Sequence, residues 1–214
     1  MTRSLAQSLV ARGVKVGALL LALRIRYEGV VRSDMEAARA IFEALLQRGI
    51  HPNQYHYSAL MEGYTYCADM VAATKILAMA ERGGIQPNVV MYTILICGYA
   101  RQGDPQASLR TFQQMVTSGI RPDVPSIDAV ANAFFTVGAF GIARHVLTSL
   151  WSHIAPFPDD LRGASLHEMA HRFRSLHEPQ PTIAHLTKCE SIELHSRLKI
   201  ILDSWRKVAK KYGF

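Results

Sequence analysis

The sequence holds little that would staple a small fold or span a bilayer. Its three cysteines, Cys67, Cys97 and Cys189, stand far apart among 214 residues and form no Cys-x-x-Cys pair. That count and spacing exclude a disulfide framework and imply a reducing compartment. The longest purely apolar run, Val16 to Leu23, is eight residues, against the roughly 20 that a membrane-spanning helix needs. A multi-spanning membrane protein is thereby excluded. Charged residues are sparse at 19%, while hydrophobic residues reach 49%, which is a globular composition rather than a disordered one. Enzyme templates are missing too. There is no G-x-G-x-x-G, no Walker loop, no G-x-S-x-G, and no carboxylate pair placed for a metallonuclease. Asp159-Asp160 lies among Pro156, Pro158 and Gly163, and reads as a solvated linker.

What is present is an uneven charge. The 24 basic and 17 acidic residues leave a net +7. Residues 1–33 carry +5, residues 34–88 carry −2, and residues 159–214 carry +3. Basic ends permit an anionic partner.

A short phrase also recurs. Gly49-Ile50-His51-Pro52-Asn53 is followed by Gly84-Ile85-Gln86-Pro87-Asn88 and then by Gly119-Ile120-Arg121-Pro122-Asp123, each step being 35 residues. Tyr57, Leu60, Met61, Gly63 and Tyr64 return as Tyr92, Leu95, Ile96, Gly98 and Tyr99 at the same step. Phe42, Leu77 and Phe112 share another register, as do Leu45, Ala80 and Met115. Within a unit, Tyr57, Leu60, Met61 and Tyr64 fall on one helical face, and so do Ala38, Ile41, Phe42 and Leu45. The glycines stop a helix where a left-handed residue is cheapest, and the prolines three residues later forbid its continuation. The pattern predicts helix–turn–helix units stacked at fixed pitch, because no single hairpin can bury its own apolar face.

The 35-residue period, the Tyr-x-x-Leu-Ile/Met-x-Gly-Tyr helix and the closing Gly-Ile-x-Pro-Asn/Asp resemble the pentatricopeptide repeat family. The resemblance covers residues 54–123 most fully, as two complete units. It extends over 18–53, whose first helix is unusual, and over 124–156, where Pro156 arrives one residue early. Residues 1–17 resemble the end of a preceding repeat or an N-terminal cap. The resemblance implies an all-α, right-handed solenoid that binds single-stranded RNA without catalysis, one base per repeat. It places the base-reading residues at Ser58 and Asn88, a pair favouring adenine, and at Thr93 and Asp123, a pair favouring guanine. Tyr55 and Val90 would sandwich bases, and Arg101 would contact phosphate, although Tyr66 holds the equivalent place one unit earlier. Ala22, paired with Asn53, offers no hydrogen bond. Asp128 lacks a legible partner in the shortened turn near Phe157. Only two units therefore carry a readable pair.

A second motif competes. His167-Glu168-Met169-Ala170-His171 fits H-E-x-x-H, which on a helix sets two histidines one turn apart for zinc with the glutamate as general base. His177 stands at the third-ligand position of the longer motif, but Arg174 replaces its glycine and no methionine follows Met169. The alternative is an ordinary amphipathic helix capped by Ser165, with Glu168 in a capping box. No metal and no cofactor is expected on that reading, and a zinc hydrolase is the remote alternative.

Residues 157–164 form a break, and residues 165–214 a helical extension outside the repeat frame. Thr187 and Glu190 make a capping box. Leu194, Leu198, Ile201, Leu202, Trp205, Val208, Ala209 and Tyr212 then form an apolar stripe, with Arg206, Lys207, Lys210 and Lys211 on the polar side. This helix is expected to cap the end of the array. In the rival reading, a protein-interaction scaffold or ribonucleoprotein subunit, Trp205 and Tyr212 form a partner-docking face. The first 27 residues contain no acid and hold Arg3, Arg12, Lys15, Arg24 and Arg26 among Ser and Leu. They resemble a mitochondrial transit segment while keeping a repeat-like register. The expected setting is the mitochondrial matrix, in RNA maturation, stability or translation.

Overall fold

The computed structural model describes residues 17–176 and 185–212. The regular structure among them is helical, apart from one isolated bridge between Ile120 and His185. Helices come in pairs. α1 (Ala18–Arg26), continued by a π turn over Tyr27–Val31, precedes α2 (Met35–Gln47). α3 (Gln54–Tyr66) precedes α4 (Met70–Arg82), α5 (Val89–Arg101) precedes α6 (Pro105–Thr117), and α7 (Val124–Thr136) precedes α8 (Phe140–Ile154). A 3-10 turn (Asp159–Leu161), α9 (Leu166–Arg174) and α10 (Lys188–Tyr212) follow. The all-α class and the repeated hairpin both match the sequence reading.

Local chemistry repeats at the same 35-residue step. The first helices of the second, third and fourth hairpins start behind a capping side chain: Asn53 accepts from Tyr55 N and His56 N, Asn88 from Met91 N at 3.0 Å, and Asp123 from Ser126 N at 2.9 Å, whereas α1 starts behind Gly17 with no side-chain cap. These bonds satisfy amides that the helix itself leaves unpaired. Second helices start behind Asp34, Asp69 and Asp104, whose carboxylates accept from Ala37 N, Ala72 N and Ala107 N at 2.9, 2.8 and 2.8 Å. The fourth has Ala139 there and no side-chain cap. Gly49, Gly84 and Gly119 close the hairpins at φ +68°, +77° and +76°, as their left-handed role requires.

The chain resolves into two compact units, one ending at Leu95 and one beginning at Ile96, the division falling inside α5. In the first, α1 packs on α2 and α3, and α3 on α4. The core holds Ile25, Phe42, Leu45, Leu60 and Met61, with Phe42 and Tyr57 edge-to-face at 5.3 Å. Gly63 is there because the helices nearly touch: a Cβ on it would meet Met35 Sδ at 2.7 Å and Gly29 Cα at 3.1 Å.

In the second unit, α7 packs on α6 and α8, and α9 on α7 and α8. The sequence places the last helix over the end of the array. Instead α9 takes that flank, and α10 lies along α6 and α8. Arg121 Nη2 donates to Glu190 at 2.7 Å, Leu186 N to Gly119 O at 2.8 Å, and the Arg197 guanidinium to Ser149 O and Ser152 Oγ. The Thr187–Glu190 capping box forms. Residues 157–164 are fastened rather than loose, since Leu161 is buried and Arg144 donates to Ala164 O at 2.6 Å and to Arg162 O at 2.9 Å.

The docking face is corrected. Trp205 is 5% exposed and meets Phe134 edge-to-face at 5.2 Å. The reason is the stripe itself: Leu194, Leu198, Ile201 and Trp205 turn one face inward, and this chain's own second unit covers that face. The Tyr212 side chain lies outside the described residues.

Candidate nucleic-acid interface

In α3, Ser58, Glu62 and Tyr66 follow one another at intervals of four residues and so lie along one helix face. Ser58 is half-buried, and its hydroxyl makes no side-chain hydrogen bond among the described residues. Gln54, one turn before it, donates through Nε2 to Gln86 O at 2.8 Å and accepts at Oε1 from Asn88 Nδ2 at 3.0 Å. Asn88 is thereby tied to the same face as Ser58, one helical turn away. Its Oδ1 is engaged by Met91 N, which leaves one N–H and a lone pair for another partner. Tyr55 is 66% exposed at the start of α3, and Val90 is 52% exposed at the start of α5. Large apolar groups left in water at matching helix starts suit the flat face of an unstacked base.

Glu62 would place a negative charge on this face. Arg26 answers it, Nε and Nη2 donating to the two carboxylate oxygens at 2.5 and 2.9 Å. The hydrogen bond and the charge of Glu62 raise the Arg26 pKa. Thr93 is half-buried, and its hydroxyl donates to Val89 O at 2.8 Å. Its oxygen keeps acceptor capacity. Ala22 is buried and presents no polar group.

The second unit gathers Cys97, Arg101, Asp123 and Asp128. Burial pushes the Cys97 thiol pKa up, Arg101 pulls it down, and the charges of Asp128 and Asp123 push it further up. Arg101 is exposed one turn beyond Cys97. Asp123 is half-buried and holds the N-terminus of α7, its carboxylate accepting from Ser126 N at 2.9 Å. Asp128 is engaged: Arg174 Nε donates to both of its oxygens at 2.9 Å.

Sequence reading assigned Asn88 and Asp123 to a ligand and missed their capping. The signal was available, since each stands immediately before a helical apolar pattern. It had no signal for the Arg26–Glu62 and Arg174–Asp128 pairs, which join residues 36 and 46 apart.

His167, Glu168 and His171 lie exposed on α9, whose buried face is Met169 and Phe173. Ser165 Oγ accepts from Glu168 N at 3.2 Å and caps the helix. Among the described residues, no group of three or more His, Cys, Asp or Glu could hold a metal ion. His177 lies outside the described residues. No helix among the described residues is long and apolar enough to cross a membrane.

Residues 75–134 match the pentatricopeptide repeat domain. Three solved structures share the fold. The pentatricopeptide repeat protein PPR10 in complex with an 18-nt psaJ RNA element aligns with a TM-score of 0.66 at 22% identity, over 80% of this chain and 24% of that one. PPR10 from maize aligns with a TM-score of 0.60 at 18% identity, over 99% of this chain and 28% of that one. The PPR domain of Arabidopsis thaliana protein-only RNase P 1, in complex with tRNA, aligns with a TM-score of 0.56 at 16% identity, over 82% of this chain and 89% of that one. The chain thus spans 24% to 28% of the PPR10 chains it matches. No curated protein matches it by sequence. Residues 75–134 are thus a pentatricopeptide repeat segment, and the chain shares the all-α fold of the pentatricopeptide repeat structures.

Proposed function

We propose that the chain binds single-stranded RNA without catalysis, its second and third hairpins each addressing one base. The observation that carries this reading is the face of α3: the open hydroxyl of Ser58, one turn from the Gln54–Asn88 bond, beneath an exposed Tyr55. Such a face offers hydrogen-bond groups for a Watson–Crick edge and a ring for stacking, the two elements of single-strand recognition. Thr93 and Asp123 hold the same register positions one unit later. Val90 takes the stacking place there, and Arg101 is the basic group for phosphate. Two hairpins specify two bases, so affinity is modest and the backbone contributes much of it. The RNA complexes of PPR10 and of the RNase P 1 domain support the same class of ligand. The acid-free basic segment over residues 1–27 supports a mitochondrial setting, in RNA maturation, stability or translation.

The test is fluorescence anisotropy with short single-stranded RNAs, AG-containing against scrambled, at two salt concentrations. The expected result is a preference for AG that Thr93→Asn relaxes, with affinity falling as salt rises. No binding even at low salt would sink this reading.

A further inference from the structure

The residue that stands 35 positions after Thr93, where Ser58 and Thr93 stand in their own hairpins, is Asp128 on α7. By type it could accept a hydrogen bond from a base. Its surroundings disfavour this. Both carboxylate oxygens already accept from Arg174 Nε at 2.9 Å, and the Asp128 side chain is only 23% exposed. Arg174 is the last residue of α9. Its neighbour Phe173 is fully buried against Trp151, ring centroids 5.0 Å apart, and Met169 one turn earlier is fully buried as well. Two buried anchors therefore deliver the guanidinium to Asp128.

We propose that Arg174 closes the reading position of the fourth hairpin, so that base selection ends at the third. The inference rests on the RNA reading above. A base lying against α7 meets a carboxylate already charge-paired at both oxygens with a guanidinium, which weakens its remaining lone pairs as acceptors. It is then held without regard to its identity. Arg174 is thus a specificity-determining residue that acts by masking. It occupies the position at which the longer zinc motif would need glycine. Its side chain has a task that the motif does not describe.

The experiment has two arms on the full chain, with thermal melts establishing that each variant is folded. In the first, surface carboxylates are coupled to glycine ethyl ester with a carbodiimide and located by peptide mass spectrometry. Asp159, 86% exposed, serves as internal reference. Asp128 labels slowly in the wild type and several-fold faster in Arg174→Ala. Equal rates would overturn the masking. In the second arm, RNAs that differ only at the base following AG are titrated. The wild type and Asp128→Ala bind all four within about twofold. Arg174→Ala favours bases carrying an exocyclic amino donor by about tenfold, the scale of one good base-edge contact in DNA readout. Discrimination by the wild type that Asp128→Ala removes would overturn the proposal, and so would AG binding by Arg174→Ala with no new preference. If no protein binds AG-containing RNA, the RNA reading itself fails, while the labelling arm still decides whether Arg174 masks Asp128.

Discussion

Asn88 Nδ2 donates to Gln54 Oε1 at 3.0 Å, so the residue that closes one repeat is fastened to the first helical residue of that repeat. The same side chain caps α5 through Met91 N. Structure and recognition therefore compete for one amide, and two substitutions separate them. Asn88→Ala loses the cap and costs about 1–2 kcal/mol, a few degrees in Tm. Asn88→Asp keeps an acceptor for Met91 N at a helix N-terminus, where a negative charge is favoured. It loses the donor to Gln54 Oε1, so its Tm falls, though by less than that of Asn88→Ala, while the preferred base moves from adenine towards guanine in the anisotropy assay. A base preference indifferent to Asn88→Asp would remove Asn88 from the reading set.

The fourth hairpin lacks the cap that Asp34, Asp69 and Asp104 supply to the others, because Ala139 stands at that step. Ala139 has φ −81° and ψ 55°, near the φ −90° and ψ 76° of Asp69. Ala139→Asp therefore fits the existing backbone and stabilises by about 1 kcal/mol, while Asp69→Ala destabilises by a similar amount. Thermal melts of the two single variants check this.

The turns between the two helices of each hairpin share one backbone conformation. Ser33, Ala68, Gly103 and Gly138, each 35 residues apart, have φ of 54°, 61°, 71° and 76°. Positive φ is costly for a residue with a Cβ, by about 1–2 kcal/mol. Gly103→Ala is expected to destabilise by about 1 kcal/mol, and Ala68→Gly to stabilise by somewhat less, since glycine loses more entropy on folding. Substitutions with the same sign at both sites would contradict the shared strain.

Glu190 links the start of α10 to Arg121. Hydrogen bonds from Thr187 N and Oγ1 and from Arg121 hold its pKa at about 2, below the ordinary 4.5. A carboxylate with a depressed folded pKa stabilises the fold above its unfolded pKa, and that contribution fades as pH falls towards the folded value. The wild type should therefore exceed Glu190→Gln in Tm at neutral pH, and the gap should close between about pH 4.5 and pH 2. A gap independent of pH would assign the effect to packing.

The hairpins, their period and their closing glycines were legible because each depends on neighbours within one unit. Apolar spacing selects a helical face, and a glycine or an asparagine marks its end. The reading positions were legible only as places in that period. Ser58 and Asp128 hold equivalent positions, yet one hydroxyl is open and the other side chain is held by Arg174. Nothing near Asp128 in sequence announces a guanidinium arriving from 46 residues away.

The sequence by itself thus determined an all-α array of 35-residue hairpins, since caps, turns and amphipathic faces are local consequences of residue type and spacing. Tertiary structure decided which faces are spoken for. An apolar stripe such as Leu194 to Trp205 specifies that a helix side must leave water, not what will cover it. Phe134 on α7, 71 residues away from Trp205, meets its ring here, while α6 and α8 of the same chain line the rest of α10.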